Sequence, residues 1–298
     1  MNKILIESFD GLGDIIMSLP VARYYYNKGY EVDYIVKRYI IPLFDFVPYV
    51  KNVYYSNHYI DTNIYQCKFS IGGKLSQYHL ETCRRHRTDA SFILCDVDPK
   101  SISSNLKVPL IVIPTSYSQW ASQFMKDNKI NIVLSLISQS KYRTYFYFNE
   151  LISLLDTSLF NIIFVHSRRI PINISNGINL TGKTNITQFI SVVSKADIVL
   201  SVDTSTCQVA GALGVPLLAV FTTIPPEWRL KYFTKVKVVT PAIACSPCWD
   251  LTRINERTRR ECVESQVPKC IQGISPKLIH AELLNFVKEL NVFNIKGL

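Results

Sequence analysis

The sequence predicts an α/β protein made of two Rossmann-like domains, each with a parallel sheet. An apolar strand, a glycine-containing turn, a helix and a second strand follow one another within residues 3–36. A second series of alternating strands and helices begins near residue 130, and the chain of 298 residues is long enough for two ordinary domains. Strands that alternate with helices need crossover connections, so both sheets should be parallel.

The first series gives a short strand at the N-terminus and a helix that ends at Gly29. The predicted elements of this half are strands at 3–8, 31–36, 50–55, 91–95 and 107–114, and helices at 15–28 and 39–46. Residues 56–90 show no firm period, although 83–87 form a basic cluster, Cys-Arg-Arg-His-Arg. We expect the domain boundary within residues 114–127.

The second series is more regular. Its predicted elements are strands at 130–136, 161–166, 197–202 and 215–221, and helices at 148–155, 186–194, 207–213 and 276–290. The last helix is amphipathic, and its apolar face consists of Leu278, Ile279, Leu283, Leu284 and Val287. We therefore predict domains at 1–120 and 121–275, with the final helix in residues 276–298.

Charge and composition limit the class of protein. The net charge of +10 favours anionic partners, without choosing among phosphates, acidic glycans, membrane surfaces and nucleic acid. No stretch is long and apolar enough to span a bilayer, and the N-terminus has no apolar core of a signal peptide. We expect a cytoplasmic protein, with peripheral association at the inner face of the membrane left open.

A polar turn after one buried strand is the most informative stretch. Residues 198–202 are a β-branched apolar run, and Asp203-Thr204-Ser205-Thr206 then supplies residues that favour a helix N-cap. Small apolar residues follow until Gly214 ends the helix. Because a helix N-terminus attracts anions, the turn is a candidate seat for a diphosphate. The alternative is an ordinary, well-capped strand-to-helix turn.

Three stretches in order carry a resemblance to a known family. They are residues 9–20 (Phe-Asp-Gly-Leu-Gly-Asp-Ile-Ile-Met-Ser-Leu-Pro), 180–186 (Leu-Thr-Gly-Lys-Thr-Asn-Ile) and 196–216, with Cys-Ser-Pro-Cys at 245–248 as a fourth. Together they resemble glycosyltransferase family 9, the ADP-heptose:lipopolysaccharide heptosyltransferases. The resemblance extends over nearly the whole chain, and residues 56–130 match loosely.

The resemblance implies a GT-B fold, in which two Rossmann-like domains face a central cleft and the C-terminal helix crosses back to the first domain. It implies an acceptor on the first domain, a nucleotide-sugar donor on the second, and inversion at the anomeric carbon without a catalytic metal. ADP-heptose is the favoured donor. The acceptor would be an anionic glycan such as lipopolysaccharide core, or a protein, and no nucleic-acid partner is expected.

Asp14 matches the position that the family uses as general base. Inverting transfer needs one base to take the proton of the acceptor hydroxyl. Gly11 and Gly13 would let the turn approach acceptor and donor, and Asp10 is the alternative base. The competing interpretation of Asp14 is that it only caps the first helix.

On the donor side, Asp203 and Thr204 match the family's Asp-Thr pair. The N–H and hydroxyl groups of Thr204, Ser205 and Thr206 would hold the leaving diphosphate. The sequence departs from the family at two positions: Ser205 stands where Gly is common, and Gln208 where His is common. An uncharged amide at position 208 affects the choice of donor sugar more than the class of reaction.

Basic residues complete the predicted donor site. Lys141 and Arg143 follow the strand at 130–136, where the family tends to place a phosphate-binding residue; a solvated loop is the alternative. Lys183 lies in Thr-Gly-Lys-Thr, which lacks the first glycine of a Walker motif. Glu227 is a weaker candidate for lining the donor side.

Four of the eight cysteines are spaced as Cys245-x2-Cys248-x13-Cys262-x7-Cys270. Such a set can close a tetrahedral sulfur site, with zinc as the default metal and iron as the alternative. Relatives that glycosylate autotransporter proteins carry a comparable four-cysteine iron site. We interpret the metal as structural, because it would hold the arginine-rich residues 253–260 in place. The alternative is that the four thiols are reduced and bind no metal.

Three other functions stay open at this point. GT-A transferases hold Mn²⁺ and a nucleotide diphosphate with an Asp-x-Asp motif after a strand. Asp96-Val97-Asp98 follows a predicted strand here, although most such short matches are turns. The charge, the cysteines and Arg257, Arg259 and Arg260 are compatible with a nucleic-acid-binding metal module, but no reading motif is evident. A donor-binding pseudoenzyme is the third alternative.

Overall fold

The computed structural model describes residues 2–56, 60–71, 85–172, 177–248, 262 and 265–292. The chain divides into two compact units. Unit 1 consists of Met1–Thr115 and Glu227–Phe233, and unit 2 of Ser116–Pro226 and Thr234–Leu298. The chain therefore passes from unit 1 to unit 2, returns to unit 1 for one short segment, and ends in unit 2.

Ten strands and a series of helices build the described parts of the two units. In chain order the strands are β1 Lys3–Glu7, β2 Glu31–Val36, β3 Asn52–Tyr55, β4 Cys67–Ser70, β5 Ile130–Ser135, β6 Phe160–Phe164, β7 Ile178–Asn179, β8 Ile198–Val202, β9 Leu217–Val220 and β10 Val236–Val239. The α-helices are α1 Leu12–Asn27, α2 Arg87–Leu94, α3 Thr115–Ser122, α4 Phe148–Leu154, α5 Ile186–Ser194, α6 Ser205–Leu213, α7 Glu227–Leu230, α8 Lys269–Gln272 and α9 Pro276–Glu289. Short 3-10 helices span Arg38–Phe46, Thr62–Ile64, Pro99–Ser101, Ser104–Lys107 and Lys141–Arg143.

Unit 1 is built on a parallel sheet with the order β3-β2-β1-β4. The central strand β1 is apolar and buried at Ile4, Leu5 and Ile6, which is the pattern of a strand covered on both faces. Helix α1 follows the carboxyl end of β1 and buries residues 15–22. This connection brings the turn at residues 8–11 to the carboxyl edge of the sheet, where ligands bind in parallel α/β proteins.

Two predicted strands of unit 1 are wrong. Residues 91–95 fall largely within helix α2, and residues 107–114 hold the end of a 3-10 helix followed by irregular backbone. Short apolar runs do not distinguish a strand from a buried helix, and α2 buries Thr88, Ser91 and Phe92 on one helical face. The fourth strand is β4, in a region without a readable period.

Unit 2 contains a six-stranded parallel sheet in the order β10-β9-β8-β5-β6-β7. Strands β5, β6 and β8 are buried at every residue. The strand order changes direction between β8 and β5, because β6 lies on one side of β5 while β8 and β9 extend on the other. Such a reversal opens a ligand-binding crevice at the carboxyl ends of the strands.

The final helix packs within unit 2. Helix α9 packs against α4 and β10. Its side chains Ile279, Leu283 and Val287 are fully buried in the hydrophobic core of that unit. Lys237 on β10 also pairs with Glu282 and Glu289 at 3.1 and 2.9 Å. The part of the chain that does rejoin unit 1 is the short segment Glu227–Phe233.

The helices within the described ranges are each too short or too polar to cross a lipid bilayer.

Candidate functional site

A turn between β1 and α1 carries the predicted general base. Gly11 is the N-cap of α1, with φ −79° and ψ 167°, and Asp14 lies in the first helical turn. Asp14 therefore does not cap the helix, which removes the competing interpretation of this residue. A carboxylate in the first turn is stabilised by the helix dipole.

Arg87 contacts both aspartates of this turn. Its Nη2 lies 2.5 Å from Asp10 Oδ2, and its Nε lies 3.4 Å from Asp14 Oδ1. The Asp14 side chain is 36% exposed, against 19% for Asp10. Asp10 is thus the closer partner of the guanidinium, and Asp14 is the carboxylate more accessible to a ligand. Sequence reasoning missed Arg87, and the only signal was its place in the basic cluster at 83–87.

The two glycines of the turn differ in setting. A Cβ atom added at Gly11 would meet no atom within 4 Å, whereas Gly13 lies inside α1. The backbone at Gly11 is extended, so a side chain would not strain it. The backbone at position 11 therefore does not require glycine, and the missing side chain leaves open space beside the turn.

The turn between β8 and α6 is organised by hydroxyl groups. Thr204 is the N-cap of α6, and its Oγ1 accepts a hydrogen bond from the Thr206 N–H at 3.3 Å. Ser201 Oγ lies 3.1 Å from the same oxygen. Thr206 Oγ1 donates to Ser135 Oγ at 2.9 Å and is buried, so this hydroxyl holds β5 against α6. Ser205 and Thr204 are both partly exposed, but the Thr204 hydroxyl already contacts Ser201 and Thr206.

Arg143 completes this turn from the neighbouring strand. It lies in the 3-10 helix after β5, and its Nη1 donates to both the carbonyl and the Oδ2 of Asp203, each at 3.2 Å. Lys141, two residues earlier, instead donates from Nζ to the Ser265 carbonyl at 3.3 Å. Lys141 and Arg143, which were predicted together as phosphate-binding candidates, therefore have different hydrogen-bond partners.

Gln208 lies in α6 and is 2% exposed. Its amide oxygen and nitrogen are both buried without a hydrogen-bond partner in the described part of the chain. An unpaired buried amide costs about 1–3 kcal/mol, so this side chain is suited to a ligand that satisfies it. The preceding Cys207 is fully buried, which raises the pKa of its thiol to about 12 and makes it a poor nucleophile.

Lys183 follows the edge strand β7. Strands β5 and β6 lie between β7 and β8. At ~4.8 Å per strand, the end of β7, which Lys183 follows, is about 14 Å from the turn after β8. Glu227 begins α7, in the segment that belongs to unit 1.

The four clustered cysteines come from separate stretches but influence one another. The pKa of Cys270 is raised to about 12 by burial, with smaller contributions from Cys262, Cys248 and Cys245. Burial also raises the pKa of Cys248 and Cys262, again with neighbouring cysteines contributing. Within the residues described, no three His, Cys, Asp or Glu side chains form a ready metal-binding group. Residues 249–261, 263 and 264, which connect these cysteines, lie outside the described residues.

The structure removes the basis for a GT-A site. Asp96 and Asp98 follow helix α2 rather than a strand. Asp96 has a φ of 57°, and Asp98 Oδ1 accepts a hydrogen bond from the Lys100 N–H at 2.9 Å. Both are turn residues, as most short Asp-x-Asp matches are. Arg257, Arg259 and Arg260 of the nucleic-acid alternative lie outside the described residues.

Residues 120–258 match the family model "Glycosyltransferase family 9 (heptosyltransferase)". The match includes β5, Arg143, the β8–α6 turn and Gln208. This part of the chain, a little under half of it, is therefore similar to glycosyltransferase family 9. A search of curated proteins found no match.

Solved structures of this family are similar over the length of the chain. Heptosyltransferase II of E. coli, an ADP-heptose lipopolysaccharide enzyme, has a TM-score of 0.77 at 14% identity, covering 97% of this chain and 99% of that one. A family 9 glycosyltransferase from Veillonella parvula has a TM-score of 0.74 at 13% identity, covering 97% and 98%. The iron-containing dodecameric glycosyltransferase TibC of enterotoxigenic E. coli has a TM-score of 0.71 at 13% identity, covering 97% and 76%. At these identities the likeness shows the fold, which is the GT-B class expected from the sequence.

Proposed function

We propose that the protein is an inverting glycosyltransferase that transfers heptose from ADP-heptose to a hydroxyl group. The β8–α6 turn carries this proposal, because it combines a capped helix N-terminus, the Arg143 guanidinium and the buried, unpaired amide of Gln208 within the residues that match family 9. The heptosyltransferase WaaC of E. coli has been solved with ADP and with ADP-2-deoxy-2-fluoro heptose, which supports the choice of donor.

The donor diphosphate would lie at the N-terminus of α6. The partial positive charge of the helix end stabilises an anion there, and the partly exposed Ser205 hydroxyl is a hydrogen-bond donor. Arg143 would neutralise charge on the leaving nucleotide diphosphate. Asp203 holds this guanidinium in place rather than binding phosphate itself, since like charges repel.

Asp14 would act as the general base. The acceptor oxygen forms the new bond at the anomeric carbon, the departing diphosphate takes the electron pair of the broken bond, and the hydroxyl proton moves to the Asp14 carboxylate. Asp14 belongs to unit 1, and the proposed diphosphate site belongs to unit 2. Arg87 sets the orientation of the carboxylate, and no catalytic metal is needed in this scheme.

For the acceptor we propose an anionic glycan such as lipopolysaccharide core, or a protein side chain, in keeping with the net charge of +10. The reaction would take place in the cytoplasm, with peripheral association at the inner face of the membrane where the acceptor is a lipid-linked glycan.

We also propose that Cys245, Cys248, Cys262 and Cys270 bind one structural zinc or iron ion. The electrostatic influence of these cysteines on one another's pKa places the thiols near each other, as ligands of one ion must be. The likeness to the iron-containing TibC supports iron as a candidate. The ion would tie helix α8 to the loop after β10, because Cys270 lies in α8.

A thermal-shift panel of nucleotide sugars tests the donor assignment. ADP-heptose at about 100 times its Kd should stabilise the native state by about 2.7 kcal/mol, and UDP- and GDP-sugars should shift the Tm less. Transfer from ADP-heptose should then be lost in Asp14→Asn. It should be reduced but still measurable in Asp10→Asn, because Asp10 is the closer partner of Arg87 and not the base. Donor binding without transfer in the wild type would make the protein a pseudoenzyme, and no shift with any nucleotide sugar would overturn the proposal.

A further inference from the structure

Four consecutive residues at the start of α2, His86 to Asp89, join separate parts of unit 1. His86 caps the helix, with Nδ1 accepting from the Thr88 N–H at 3.2 Å. Arg87 contacts Asp10 and Asp14, as described above. Thr88 Oγ1 donates to the Met17 carbonyl of α1 at 2.8 Å. This short stretch, here called the junction turn, therefore fixes α2 to the helix that carries Asp14.

The fourth residue of the junction turn, Asp89, reaches the returning segment Glu227–Phe233. Tyr232 donates from its hydroxyl to Asp89 Oδ2 at 2.6 Å. Lys107 completes a triangle, with Nζ 2.8 Å from Asp89 Oδ1 and 3.1 Å from the Tyr232 hydroxyl oxygen. The side chains of Lys107 and Asp89 are 9% and 13% exposed, so this ion pair is largely shielded from water.

The ring of Tyr232 packs against His86, the first residue of the junction turn. Its centroid lies 4.5 Å from that of His86 in an edge-on contact, and the Lys107 ammonium lies 4.9 Å from the same ring centroid. The returning segment therefore contacts residues on both sides of Arg87 in sequence. Removal of the Asp89 or Lys107 side chain would leave the other buried charge unpaired, which is strongly unfavourable.

We propose that Asp89, Lys107 and Tyr232 are positioning residues that hold Arg87, and through it the Asp14 carboxylate, in the geometry needed for proton transfer. The inference rests on the proposed role of Asp14. The Arg87 guanidinium bridges the carboxylates of Asp10 and Asp14. The backbone of Arg87 lies between His86 and Thr88, which are both anchored by contacts of their own. Tyr232 contacts His86 on one side of Arg87 and, with Lys107, Asp89 on the other, so the triangle fixes the backbone that carries the guanidinium. A misplacement of about 1 Å at a reacting group can cost a factor of about 100 in rate.

Tyr232→Phe is the sharpest test, because it removes one hydroxyl and keeps the ring against His86. We expect kcat to fall about tenfold with the KM for ADP-heptose changed less than twofold, since the loss affects the base rather than the donor site. Tyr145→Phe is the matched control. Its hydroxyl is likewise buried and donates to the Ile274 carbonyl at 2.9 Å, but in unit 2. It should lower the Tm similarly and leave kcat within twofold.

A double-mutant cycle shows whether Tyr232 acts through Arg87. In an Arg87→Ala background, Tyr232→Phe should have no further effect on kcat, because the group that it positions is gone. Independent, multiplicative losses would overturn the proposal, as would an unchanged kcat in Tyr232→Phe alone.

A second readout does not depend on transferase activity. The urea midpoints of the same four proteins should also be non-additive, because both residues stabilise the junction turn. If the wild type transfers no sugar, the proposed function fails while this cycle still reports on the junction turn. Additive urea midpoints would overturn the structural coupling itself.

Discussion

Arg143 Nη1 lies 3.2 Å from both the carbonyl oxygen and the Oδ2 of Asp203, so a single guanidinium nitrogen joins the 3-10 helix after β5 to the residue after β8. Asp203 is 6% exposed, whereas the Arg143 side chain is 32% exposed. The buried carboxylate thus orients a cation that remains accessible to a ligand.

Arg143→Ala should raise the KM for the donor by about 10- to 100-fold, because a hydrogen bond between charged groups contributes about 1.5–3 kcal/mol. Steady-state kinetics with ADP-heptose measures the change. Lys141→Ala is the control, since its ammonium donates to the Ser265 carbonyl, and its donor KM should stay within about threefold of wild type. Equal effects of the two substitutions would contradict the assignment of Arg143.

Gln208→Leu should separate stability from donor binding. Leucine is similar in volume and removes the cost of the unpaired buried amide, so the free protein should become more stable by about 1 kcal/mol. Donor affinity should fall by about tenfold, because the amide that meets the donor is lost. Urea unfolding and donor titration measure the two effects. A less stable variant with unchanged donor affinity would show that the amide is satisfied within the protein.

Cys248→Ser should release the proposed metal. Elemental analysis should find about one zinc or iron ion per chain in the wild type and none in the variant, and the Tm should fall because a structural metal stabilises the folded state. Cys67→Ser is the control, because this partly buried thiol lies on β4 in unit 1. Wild-type protein purified under reducing, metal-replete conditions without bound metal would contradict the site.

His86 should make stability pH-dependent on the acid side. Burial lowers the pKa of His86 to about 4, although Asp89 opposes this, and the positive charges of Arg229 and Lys231 add to it. Below the ordinary pKa of about 6.5, the unfolded chain takes up a proton that the folded protein does not. The free energy of unfolding should therefore fall as the pH decreases from about 6.5 towards 4, by about 2 kcal/mol at pH ~5.

The variant His86→Asn isolates this effect, because asparagine keeps an N-cap acceptor and does not titrate. Urea unfolding at pH ~5 and ~7.5 should show a difference between the two pH values that is about 2 kcal/mol smaller in the variant than in wild type. The same difference in both proteins would assign the acid sensitivity to other groups.

Gly11→Ala and Gly214→Ala form a matched pair. Gly214 ends α6 with a φ of +67°, where alanine is strained, so that variant should lose about 1 kcal/mol of stability. Gly11 is extended and faces open space, so alanine should not lower stability there. A methyl group beside Asp14 should instead reduce kcat/KM with the acceptor. Equal stability losses would show that the space at Gly11 is not available.

Local pattern was sufficient for much of the fold. The period of the second half predicts strands β5, β6, β8 and β9 and helix α5 to within a few residues, because these elements are apolar, regular and clearly ended. It was insufficient for residues 91–95, which lie largely in α2, and for β4, which has no alternation to recognise.

The sequence by itself determined the two parallel α/β units and the polar turn at 203–206, because each depends on residues that are neighbours in the chain. Asp14 became the candidate base through the resemblance of residues 9–20 to glycosyltransferase family 9. Only the tertiary structure decided the place of α9, the separation of Arg143 from Lys141, and the contact of Arg87 with Asp10 and Asp14. Those depend on which buried surfaces meet and on pairs far apart in the chain, such as Arg87 and Asp10, 77 positions apart. The spacing of residues along the chain carries no record of such pairs, since they form only when the packed elements bring them together.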